Sequence, residues 1–92
     1  MNKEKVRKLL NDLDVKDEGV FDGKHYIITL NDSDDYARYY TILDHADEFE
    51  LVDTSSMLSE YLSSLSYSSD DFTVTLNADF NSQVYKLVIE EK

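Results

Sequence analysis

The segment from Phe72 to Glu91 constrains the fold more than any other. Phe72, Val74, Leu76 and Ala78 alternate with Thr73, Thr75, Asn77 and Asp79; on the return, Tyr85, Leu87 and Ile89 alternate with Val84, Lys86 and Val88. A period of two belongs to a strand with one buried face. A two-residue turn at Asn81 and Ser82 pairs Phe80 with Gln83, Ala78 with Tyr85, Leu76 with Leu87 and Val74 with Ile89. In that register every large apolar side chain lands on one face, and a slip of one residue would turn the set outward. The apolar match outweighs the modest turn chemistry of Asn-Ser. A C-terminal hairpin over 72–79 and 83–90 follows.

Upstream the period changes. Val6, Leu9, Leu10 and Leu13 fall at i, i+3, i+4 and i+7, which predicts an amphipathic helix over 2–13. Lys3, Lys5, Arg7 and Lys8 sit at its N-terminal end and Asp12 and Asp14 at the other, against the helix dipole. A basic helix lying against an acidic part of the same chain explains that placement better than a separate basic site. Gly19 and Gly23 bracket a short strand at 18–22 that feeds a hairpin, and His25–Leu30 is rich in strand formers.

Ser33 is a suitable N-cap, with Asp34 and Asp35 in the first turn. Tyr36, Tyr39, Tyr40 and Leu43 then share a helical face, so 33–46 reads as a helix in preference to a strand. Residues 48–53 read as a strand with Phe49, Leu51 and Asp53 on one side and Glu48, Glu50 and Val52 on the other. The serine-rich stretch that follows has a helical stripe of Met57, Leu58, Tyr61, Leu62 and Leu65, predicting a helix over 56–66, with a strand over 64–68 as competitor. The fold class is α+β: an N-terminal helix, an antiparallel sheet ending in the hairpin, and one or two further helices. At 92 residues the chain is a single domain, 1–92.

Charge bounds the function. The chain has 20 Asp+Glu against 9 Lys+Arg, a net charge of −11. Residues 1–24 and 86–92 are each neutral, so 25–85 carries the whole imbalance, with Arg38 its sole base. A direct nucleic-acid binder needs a cationic face, which this chain lacks. It has no Cys for a thiolate or Cys-based zinc site, and no apolar run near 18 residues to span a membrane. An EF-hand loop begun at Asp12 puts Lys16 and Asp17 at positions 5 and 6; begun at Asp32 it puts Tyr36 and Ala37 there. Both fail. His25 and His45 stand far apart in sequence, and both glycines lie outside any phosphate-binding or nucleophile motif. The expectation is a protein that is not an enzyme, with no cofactor and no metal.

The acids fit an electrostatic role. Carboxylates on alternate strand residues stand about 6.8 Å apart and on i, i+4 helix neighbours about 6 Å, the order of phosphate spacing along one nucleic-acid strand. Asp32, Asp34 and Asp35 mark one end of the Tyr36–Leu43 element and Asp44 and Asp47 the other; Glu48 and Glu50 share a strand face, and Asp53, Asp70 and Asp71 complete the set. Tyr36, Tyr39 and Tyr40 offer contact area, or else pack partly into the core.

In size, composition and charge placement over 25–85 the chain resembles small acidic phage-type nucleic-acid mimics: anti-CRISPR proteins and inhibitors of restriction enzymes and of uracil-DNA glycosylase. The resemblance implies a cytoplasmic inhibitor in a bacterial host. Its partner would be a basic protein, a nucleic-acid-binding enzyme or complex, with no direct contact to nucleic acid or membrane. An acidic adaptor, immunity or antitoxin-type protein is the alternative, and self-association remains open.

Overall fold

The computed structural model describes residues 1–56 and 61–92. In chain order the elements are α1 (Lys3–Asp12), β1 (Val20–Asp22), β2 (His25–Leu30), α2 (Ser33–His45), β3 (Glu50–Ser56), β4 (Leu62–Ser68), β5 (Phe72–Asp79) and β6 (Val84–Glu91). The strands form one antiparallel sheet in the order β1-β2-β6-β5-β4-β3, and the architecture is α+β. The hairpin β5–β6 lies at its centre.

The register there follows from the alternation: Ala78 faces Tyr85, Leu76 faces Leu87 and Val74 faces Ile89. The ladder closes one pair earlier than the sequence suggests, at Asp79 and Val84, leaving a four-residue turn. Asp79 Oδ1 accepts the N–H groups of Asn81 and Ser82, both at 3.0 Å, and Gln83 takes φ +59°. These contacts replace the Phe80–Gln83 pair, and they hold the Asp79 carboxyl below its ordinary pKa.

Tyr26, Ile28 and Leu30 of β2 extend the apolar face on one side, and Tyr67 of β4 on the other. Val6 and Leu9 from α1, Leu13 just after it, and Tyr39 and Leu43 from α2 join them in one core cluster, so both helices cover the same face. Asn2 caps α1, its side chain accepting from Glu4 and Lys5 N–H. Asp32, not Ser33, caps α2: its Oδ1 accepts from Asp35 N–H at 3.0 Å, and a carboxylate there also meets the positive end of the dipole.

Two further expectations are corrected. The helix over 56–66 is absent where it is described: β3 runs to Ser56 and 62–66 belong to β4, while Met57 and Leu58 lie outside the described residues. The competing strand prevails because Leu65 and Tyr67 face Leu76 and Val74 across β5, and serines tolerate the opposite face, where Ser66 Oγ meets Thr75 Oγ1 at 3.1 Å. The simple alternation of 48–53 also fails. Glu48 lies in the turn before β3, and a register shift between Leu51 and Asp53 inserts Val52 as a bulge. Asp53 thereby joins Glu50 on the face of their partners Ser66 and Ser68, away from Leu51.

At the first hairpin Gly23 takes φ +59°. Gly19 is needed for a different reason: a Cβ there would stand 2.7 Å from Ile27 O and 2.8 Å from the side chains of Ile28 and Tyr26, and its N–H donates to Tyr26 Oη.

Candidate partner-binding surface

The thirteen residues of α2, rising about 1.5 Å each, hold two groups of acids apart. Asp32, Asp34 and Asp35 sit at its start, with Asp32 and Asp35 engaged in the cap and with Asn31 N–H. Asp44 lies in its last turn. From there the chain passes through Asp47 and Glu48 into β3, whose Glu50 pairs with Ser68, next to the β4–β5 turn that carries Asp70 and Asp71. Asp44, Asp47, Glu48, Glu50, Asp53, Asp70 and Asp71 therefore gather toward one end and edge of the sheet, and all seven are exposed.

A cleft of about 520 Å³ opens at this end, with Asp47, Glu48, Asp70 and Asp71 on one side, Lys5, Lys8 and Asp12 of α1 on the other, and Leu9 and Phe72 between them. Lys5 Nζ stands 3.9 Å from Asp71. The basic helix does lie against the acidic part of its own chain, as its sequence suggests. The pair is 52% and 62% exposed, however, and such surface pairs contribute about 0–1 kcal/mol. Arg38 does little for these acids: its Nη1 is 3.6 Å from Asp14 Oδ2 and donates to Asp14 O, and its Nη2 donates to Tyr39 Oη. Among the described residues no candidate carboxylate except Asp71 has an ion pair.

The tyrosines separate. Tyr39 is fully buried, its hydroxyl held by Arg38 and donating to Asp17, so it offers no contact area and the expectation that it does is corrected. Tyr36 is half-buried at the other end of α2, packed against the rings of Phe80 and Tyr85, each at 5.8 Å. Tyr40 is 40% exposed and available. Near it lies Tyr67, whose buried hydroxyl has no hydrogen-bond partner among the described residues. Burial, then the charge of Asp44 and the neighbouring Tyr40 and Tyr36, push the Tyr67 phenol up to about 12.

Two features escape the sequence reading. Leu51 and Val52 on the edge strand are 44% and 56% exposed, placing apolar area beside the acids. The sheet face away from the helices also carries a graded surface. Along one row run Asp22, His25, Glu90, Thr73, Ser68 and Glu50; along the next, Val20, Ile27, Val88, Thr75, Ser66 and Asp53. In both rows the β4 and β5 members carry hydroxyls and the β3 members carboxylates, with Asp22 and Glu90 adding carboxylates on the far side of the first row. The period-two spacing of Ser64, Ser66 and Ser68 was the available signal. No three His, Asp or Glu side chains among the described residues come together as a metal site requires, and His45 is exposed with its Nδ1 2.8 Å from Thr41 O. Comparison with family models, with curated proteins and with solved structures gives no match in any of the three.

Proposed function

We propose that the protein is a stoichiometric inhibitor that blocks a basic nucleic-acid-binding site of a host defence nuclease or DNA-processing enzyme by presenting an acidic face, in the manner of an anti-CRISPR DNA mimic. The observation that supports it is the gathering of exposed carboxylates from α2, β3 and the β4–β5 turn, all but Asp71 without an ion pair among the described residues. Like charges held this close raise the free energy of the isolated chain, and a cationic groove relieves them on binding. The protein's part is binding and exclusion rather than chemistry. Asp44, Asp47, Glu48, Glu50, Asp53, Asp70 and Asp71 stand in for phosphates, with Tyr40 and Leu51 as contact area beside them. Asp32, Asp34, Asp35 and Tyr36 form a second, smaller contact region at the far end of α2.

The test is competition. Immobilised protein is loaded with a bacterial lysate at about 50 mM salt, where electrostatic complexes are strong, and the retained partner is challenged with duplex DNA and with RNA. Release by nucleic acid supports the reading. Retention of the partner in the presence of either competitor points instead to an acidic adaptor or immunity-type protein acting outside any nucleic-acid site. Recovery of no partner that binds nucleic acid contradicts the inhibitor reading.

A further inference from the structure

We infer that the outer edge of β3 takes up an extended, lysine- or arginine-bearing segment of the partner as an added strand. The inference rests on the basic partner proposed above and names the kind of segment that partner would present. β3 closes the sheet, and its outer edge pairs with no strand among the described residues. Such an edge offers a row of N–H and C=O groups that templates another chain. Natural edges are commonly blunted with Lys, Pro or a bulge. β3 has neither Lys nor Pro; its devices are the bulge at Val52 and two carboxylates, Glu50 and Asp53, which that bulge brings onto one face.

Those carboxylates select the occupant. A second copy laid against β3 would set acids against acids in a chain of net charge −11, with Asp44, Asp47 and Glu48 close behind. A cationic strand gains from the same arrangement. Its side chains on the open face meet Glu50 and Asp53, and those on the helix face meet the exposed part of Leu51. Accessible apolar area lies on that helix face as well: Leu51, directly opposite the buried Tyr67 of β4, keeps 44% of its surface exposed at the edge.

The probe is a synthetic nine-residue peptide alternating Lys and Val, compared with the same peptide N-methylated at alternate residues. The second keeps every charge but loses the donors that a strand pairs with. Binding to the full chain is measured by titration, with the footprint read by amide hydrogen exchange. The unmodified peptide should bind about tenfold or more tightly than the methylated one, slow exchange at alternate residues of 50–56, and bind less well to Glu50→Gln and Asp53→Asn. Equal binding of the two peptides, or a footprint elsewhere, overturns the strand-addition inference and leaves the acidic-face reading standing. No saturation by either peptide up to about 1 mM counts against both.

Discussion

The two hairpins β5–β6 and β3–β4 share one sheet and differ in almost everything else. In β5 and β6 the inward Phe72, Val74, Leu76, Ala78, Tyr85, Leu87 and Ile89 are all buried, and Val74, Leu76, Leu87 and Ile89 are closed to solvent. In β3 the inward Leu51 is 44% exposed, the ladder is broken by a bulge, and Glu50 and Asp53 share a face. The placement of α2 fits the contrast: it packs on β2, β6 and β5, while Leu51 and Val52 of β3 stay 44% and 56% exposed. Apolar burial therefore concentrates where the sheet is covered, and charge and accessible apolar area where it is not. A binding role suits the second region because its side chains are free of the packing that fixes the first.

The sharpest way to break this comparison is to truncate a leucine in each region. Leu76→Ala should cost about 2–5 kcal/mol and Leu51→Ala less than about 1 kcal/mol, read from urea unfolding; equal losses would erase the distinction. Gly19→Ala should cost about 1–3 kcal/mol, because the new Cβ meets the backbone oxygen of Ile27 as well as the packed side chains of Ile28 and Tyr26. Asp32→Ala should cost about 1 kcal/mol and Ser33→Ala much less, confirming by thermal unfolding which residue caps α2.

Tyr67 gives a pH-dependent comparison. Its phenol pKa is raised from the ordinary 10.0 to about 12, so the folded chain keeps a proton that the unfolded chain releases above pH 10. The contribution is present in full below about pH 10 and is lost as pH rises towards 12. Tyr36 and Tyr39 are shifted in the same direction and remain in the variant. Tyr67→Phe should therefore show a shallower alkaline loss of stability than the unaltered chain, and parallel curves would contradict the placement of that hydroxyl.

The central hairpin was legible because its alternation is uninterrupted and its strands match apolar residue to apolar residue at one register only. The stretch around Leu65 was not. Met57, Leu58, Tyr61, Leu62 and Leu65 fit a period near 3.6 while Leu65 and Tyr67 fit two, and serine settles nothing locally. Pairing with β5 decides it. Strict alternation puts Asp53 on the wrong face, because one bulged residue inverts everything after it. The acids at the two ends of α2 were readable from spacing, yet α2 presents three tyrosines close to one stripe, and only packing against the sheet sends Tyr39 into the core while leaving Tyr40 outside. Leu51 and Val52 read as ordinary strand residues, since sequence does not say that β3 is the outermost strand.

The central claim is that the carboxylates around α2, β3 and the β4–β5 turn bind a basic partner. The salt dependence of that complex tests it most directly, with affinity measured between about 50 and 500 mM salt for the protein and for a Glu48→Gln, Glu50→Gln, Asp53→Asn variant. The account predicts a steep fall for the unaltered protein and a weaker complex with a shallower slope for the variant. An affinity unchanged across that range, or a variant with the same slope as its parent, would contradict it.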